Sequence, residues 1–309
     1  MAPAQNDPPA ATIPDALWVG GMIRDALAGH GLDSHLEQAD DLSTARVIDV
    51  HGTEWVLANL VNRLRAQRPR TRWPEAVAAH VDSMLASTSR PAPQSLAPEQ
   101  LRPLLRCQLT PEVPNQRTDV SYGRRFATGV LEVLCLSGPE SVLTLPRAVV
   151  ENLSIGIDEA FERARDNTDA EPVGELFRID DSVLGITGES PFIASRAMNM
   201  ARLSADIIGP APQGISFAIP NRSLLLYTVM TVRGWRQQVT DLIQVCETVL
   251  TSDDFYHPGG LLCRDLFYWS PQGRIEPLGG PEIDAEGNRS LHIRPAEEFM
   301  RQMGLSGRH

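Results

Sequence analysis

From Trp235 onwards, Val239, Leu242, Ile243, Cys246, Val249 and Leu250 return at helical spacing. The pattern predicts an amphipathic helix with one apolar stripe turned to a core. Just upstream, GISFAIP and SLLLYTVM are apolar runs of strand length, separated only by a short polar knot. The same order of two strands and a helix occurs twice before that. FATGVLEVLCL and SVLTL precede IDEAFERARDN, and ELFRID and SVLGIT precede PFIASRAMNMARLSADII. A last strand pair, LLCRDLFYW and RIEPL, closes the series. Short gaps within each pair favour hairpins. The expected fold class is therefore α+β, a largely antiparallel sheet built from strand-strand-helix units, with a helical N-terminal lobe.

That lobe is expected to hold three helices: PDALWVGGMIRDALAGHG, TEWVLANLVNRLRAQ with Thr53 as its N-cap, and RWPEAVAAHVDSMLA. ARVIDV reads as a short strand between the first two. The Pro- and Ser-rich stretch STSRPAPQSLAPEQ marks the end of the lobe. The expected organisation is a disordered tail over 1–13, the helical lobe over 14–90, a Pro-rich linker over 91–120, the α+β domain over 121–280 and a C-terminal extension over 281–309.

Composition narrows the chemistry. All 28 basic residues of the 309 are arginine, which excludes a Schiff-base lysine, a P-loop lysine and a kinase-type strand lysine. The absence of lysine, with abundant Ala, Pro, Gly and Val, fits GC-rich coding. The cysteines, Cys107, Cys135, Cys246 and Cys263, form no CxxC pair, and each sits in or beside an apolar segment. Histidines are scattered, and Asp253, Asp254 and His257 read as a helix end before a Pro-Gly-Gly turn. No metal and no cofactor is expected. No apolar run reaches membrane-spanning length and the first residues lack a secretory pattern, so the expected location is the cytoplasm. A net charge of −11 opposes binding to nucleic acid or to an anionic membrane.

The order of segments resembles the YtpQ-like family of uncharacterised bacterial proteins. The likeness runs from HGTEWVLANLVNRLRAQ to RIEPL, and its more specific points are LTLPRAVVENLSIGIDEAFERARDN, the ASRAMN run over Ala194 to Asn199, and AIPNRSLLLY. In that family an acidic residue commonly follows the hairpin arginine, where this chain has Ser223. The resemblance implies the architecture and no reaction.

Three places remain for recognition chemistry. At the hairpin tip, Pro220, Asn221 and Ser223 are explained as turn formers, which leaves Arg222. A guanidinium held on a rigid hairpin suits capture of a carboxylate or phosphate, or else bridges to an acidic helix end. In GESPFIASRAMN, Glu189, Ser190, Ser195 and Arg196 surround a helix start that could receive an anion, although Ser190 is also a natural N-cap. The third place is NRLRAQRPRTRW, where Arg63, Arg65, Arg68, Arg70 and Arg72 occur with no acid between Glu54 and Glu75. On an acidic protein this island suits an acidic protein partner. No catalytic set assembles, so the expected function is that of a non-enzymatic interaction or regulatory protein. The alternative is a hydrolase or transferase acting on an anionic small molecule near Arg222, Arg196 and Glu189.

Overall fold

The computed structural model describes residues 13–37, 45–51, 54–57, 60–61, 64, 69–88, 91–112, 118–138, 142–188, 190–251, 260–283 and 289–305. The chain divides into two compact units, the first built mainly from the residues up to Pro91 and the second mainly from Ala92 on. The fold is α+β with antiparallel sheets.

In the first unit, helices α1 (Ile13–Gly29) and α2 (Trp73–Thr88) pack with a three-stranded antiparallel sheet, β1 (Ser34–Glu37), β2 (Arg46–Asp49) and β3 (Glu54–Val56). Val19, Ile23, Leu27, Val47, Trp55, Leu57, Val61, Trp73 and Val77 share its core. Gly20 lies where α1 meets this core, and a Cβ there would come within 2.8 Å of Leu36 Cδ1. Gly31, at φ 75°, ends α1: the amide of Gly31 bonds the carbonyl of Ala28, and that of Leu32 the carbonyl of Leu27. The expected second helix begins later than its pattern suggested. Glu54 to Val56 pair as strand β3, because Trp55 opposite Val47 completes the sheet face. Thr53 lies outside the described residues.

The second unit holds a sheet of seven strands and one of four. The smaller contains β4 (Leu105–Pro111), β5 (Arg124–Ala127), β6 (Val130–Ser137) and β7 (Val142–Thr144). Strand β6 is central, with β4 along one edge and β5 and β7 end to end along the other. Two expectations change here. FATGVLEVLCL is a hairpin, not one strand, since Thr128 and Gly129 turn the chain with Gly129 at φ 73°. The stretch expected to be linker carries β4, whose Leu105, Cys107 and Leu109 are fully buried.

The larger sheet contains β8 (Glu175–Arg178), β9 (Leu184–Thr187), β10 (Ile215–Asn221), β11 (Leu224–Val229), β12 (Leu266–Trp269), β13 (Ile275–Ile283) and β14 (Arg289–Ile293). Its order is β14-β13-β12-β10-β11-β9-β8, antiparallel throughout. The C-terminal stretch expected to be an extension thus supplies an edge strand. Helix α3 (Ile157–Asp169) packs Ala160, Phe161 and Ala164 on Leu105, Cys107 and Leu134 of the small sheet. Helix α4 (Trp235–Thr251) packs its predicted stripe on Ala218, Leu226 and Tyr268 of the large one, where Phe299 of α5 (Glu297–Gln302) joins it.

The opposite face of the large sheet, with Ile215, Phe217, Leu225 and Phe267, meets Leu109 and Val130 and the segment 193–203. Cover on both faces explains why β10 and β11 read as unbroken apolar runs. The segment PFIASRAMNMARLSADII is not the single α-helix expected. It is a 3-10 run (Ala194–Asn199), one α turn (Met200–Leu203) and a π turn (Ser204–Ile208). Asn199 leaves helical geometry at φ −127°, ψ 63° so that its side chain can accept the Arg202 amide.

Candidate functional site

The β10–β11 tip is held from several sides. Asn221 Oδ1 accepts the Ser223 amide at 2.9 Å, which is the expected turn chemistry. Ser223 Oγ donates to the Ser190 carbonyl, Thr187 Oγ1 donates to the Ser223 carbonyl, and the Ala194 amide donates to the Arg222 carbonyl. Asn221 and Ser223 are consequently buried and Arg222 partly so.

The Arg222 guanidinium has no hydrogen bond and no ion pair among the described residues, so no described acidic group bridges to it. Burial pushes its pKa down, and among the described residues the thiol of Cys135 acts on it in the opposite sense. Cys135 in turn lies under the influence of Arg222, Arg106 and Glu171, while burial raises its pKa to about 12.

The GESPFIASRAMN candidates separate. Ser195 is buried and its Oγ accepts the Leu109 amide at 3.0 Å, closing the exposed edge of β4. The hydroxyl expected beside an anion is thus committed to the sheet. Arg196 is 6% exposed. Its Nη1 donates to the Glu171 carbonyl at 3.3 Å, and its Nε finds no partner among the described residues. Burial lowers the Arg196 pKa, against the opposing charge of Asp169. Ser190 Oγ accepts the Phe192 amide and donates to Glu171 Oε2, whose other oxygen takes Arg106 Nε at 2.7 Å. Glu189 lies outside the described residues.

A cleft of about 310 Å³ is found elsewhere, lined by Arg124, Asp158, Glu162, Arg165, Asp166, Asp169, Met198 and Asn199. Its two arginines are already committed. Arg165 forks onto buried Glu132 at 2.6 and 2.5 Å, and Arg124 pairs with Asp158 and lies 3.9 Å over the Phe161 ring. Burial raises the Asp169 pKa, although Asn199 donates to its carboxylate at 2.7 Å. The carboxylates at 158, 162 and 166 were legible as one face of a helix. No group of three His, Cys, Asp or Glu among the described residues is arranged to hold a metal ion. Neither Arg222 nor Arg196 lines this cleft.

Of the arginine island, Arg63, Arg65 and Arg68 lie outside the described residues. Arg70 is a structural residue: its Nη2 donates to the buried Asp15 carboxylate at 2.6 Å, and its guanidinium lies 5.9 and 5.6 Å from the Trp18 and Trp73 rings. Those two indoles stack at 5.2 Å. Arg72 is exposed and makes no ion pair among the described residues. The sequence pattern missed the neighbours that complete this surface: Leu17 is 44% and Trp18 43% exposed on α1.

No family model, curated protein or solved structure matches this chain. No helix among the described residues is long and apolar enough to cross a membrane.

Proposed function

We propose that the protein is a non-enzymatic interaction or regulatory protein of the bacterial cytosol that docks an acidic protein partner on its N-terminal unit. The observation that carries this reading is the exposure of Leu17 and Trp18 together with Arg70, stacked on Trp18, and Arg72. Tryptophan and arginine are the residues that most often dominate interface energetics, and a stacked pair is ordered before binding. The four free cysteines, three of them buried, support a reducing compartment. Membership of the YtpQ-like family is part of the same proposal and rests on the ASRAMN, AIPNRSLLLY and LTLPRAVVENLSIGIDEAFERARDN motifs. The hydrolase or transferase reading has less support, because the Ser195 hydroxyl is engaged with the β4 edge and neither arginine lines the cleft.

The test is a pull-down from host lysate with wild type and a Trp18→Ala, Arg72→Glu double variant, at low and high salt. Arg70 is left intact because its removal would take a donor from buried Asp15. The wild type should retain a partner that the variant loses and that salt weakens, since exposed charges are screened beyond about 8 Å at physiological ionic strength. An identical partner list from both proteins would refute the docking surface.

A further inference from the structure

The cleft of about 310 Å³ beside α3 lies within the second unit and shares no residue with the docking surface. Helix α3 lines it with the face that runs from Asp158 to Asp169, β5 with Arg124, and the 3-10 run with Met198 and Asn199. Four carboxylates and two guanidiniums meet there. Both cations are engaged: Arg124 pairs with Asp158, and Arg165 forks onto Glu132 of β6. The carboxylates of Glu162, Asp166 and Asp169 are left in excess. Asp166 is exposed and stands 4.0 Å from Arg163, and exposed Glu162 makes no ion pair among the described residues.

Water serves those two carboxylates, but Asp169 is only 8% exposed. Asn199 Nδ2 at 2.7 Å and Arg202 Nη1 at 3.7 Å both address its Oδ2. Its Oδ1 has no hydrogen bond and no ion pair among the described residues. A buried carboxylate with one oxygen unmet requires a further donor or a proton. Burial holds the Asp169 pKa above the ordinary aspartate value even with Asn199 and Arg202 in place.

The donor set fits an ammonium better than a metal ion. Among the described residues no three acidic groups converge, whereas calcium takes about six to eight oxygens. One N–H of an ammonium is satisfied by one carboxylate oxygen, and an alkyl amine with a pKa of about 10.4 is protonated at neutral pH. Glu162 lies on the same helix face as Asp169, two turns or about 10.5 Å of axis away, and the Met198 thioether offers an apolar wall. We propose that the cleft binds a linear alkyl diammonium. One ammonium donates to Asp169 Oδ1, the other pairs with Glu162 at the exposed end, and the methylenes lie against Met198.

The experiment is isothermal titration of the full chain at neutral pH and constant ionic strength. The probes are butylamine, the terminal diamines from propanediamine to octanediamine, and tetramethylammonium, which has no N–H. One diamine should bind per chain, with affinity peaking at an intermediate length and exceeding that of butylamine by about fivefold there. Tetramethylammonium should not bind. Glu162→Gln, an exposed change, should keep the melting temperature and reduce the best diamine to the level of butylamine. Asp169→Asn should abolish binding of both. No saturable binding of any amine would overturn the proposal, as would tetramethylammonium binding as well as the diamines. Affinity that does not vary with length, or that survives Glu162→Gln or Asp169→Asn undiminished, would overturn it too. If Asp169→Asn does not fold, the length series and Glu162→Gln decide alone.

Discussion

Strand β4 lies at the edge of the small sheet, and its outward backbone groups are met by side chains instead of another strand. Thr168 Oγ1 accepts the Cys107 amide at 3.0 Å and donates to the Cys107 carbonyl at 3.1 Å. Asn167 donates to the Leu105 carbonyl, and Ser195 accepts the Leu109 amide. Thr168 and Cys107 are both fully buried, so water cannot replace a lost partner. Thr168→Val keeps the shape and removes both bonds. Each stranded backbone group costs about 1–3 kcal/mol, and partial relaxation of an edge strand brings the expected total to about 2–4 kcal/mol. Hydrogen exchange of the peptide spanning 105–111 reads this locally, whichever of the two units unfolds first. Its protection should fall about 30-fold or more, since about 1.4 kcal/mol corresponds to tenfold. Thr168→Ser keeps the hydroxyl and should lose far less. If Thr168→Val exchanges within about twofold of wild type, the edge is not held by this hydroxyl and the reasoning fails.

Packing and charge give two further predictions. Gly185 stands opposite Phe177 in the β8–β9 pair with the aromatic ring lying over it, so a Cβ at that position would enter the ring. Gly185→Ala should destabilise the protein by about 1–3 kcal/mol in urea titration, whereas an unchanged midpoint would mean that the ring moves aside freely. Burial raises the thiols of Cys135 and Cys246 to about 12 and that of Cys263 to about 11, from an ordinary value near 9. These groups hold their protons in the folded state after the unfolded chain has released them. Their contribution to stability is therefore complete below pH 9 and is lost as pH rises from 9 to 12. Urea midpoints measured from pH 8 to 11 should fall, and thiol reagents at pH 8 should label the native protein far more slowly than the unfolded one. Rapid native labelling would contradict the burial.

Elements with strong local periodicity were legible in the sequence. The stripe of α4 and the strand pairs β8–β9 and β10–β11 lie where expected, because burial on one or both faces writes a pattern into neighbouring residues. The segment 194–208 misled because its apolar spacing suits a helix, while the break at Asn199 is made by one amide side chain. Strand β4 was hidden by prolines at its borders, Pro103 and Pro111, although LLRCQLT between them alternates as an edge strand does. Much of the candidate site was not legible at all. That Arg222 finds no partner among the described residues depends on groups distant in sequence, and Trp18 sits within an apolar helix where a tryptophan reads as core. The roles of Ser195 and Arg70 are likewise non-local, since Leu109 and Asp15 lie 86 and 55 positions away.

Docking through the N-terminal unit is the central claim, and photo-crosslinking from α1 in living host cells tests it most directly. Leu17 is replaced by p-benzoylphenylalanine, with Leu176 as a control because it is similarly exposed, 48%, on β8 of the other unit. Position 17 should trap one discrete partner with an acidic surface, the adduct should disappear when Arg72→Glu is added, and position 176 should trap none. No adduct at position 17, or the same adducts from both positions, would contradict the account.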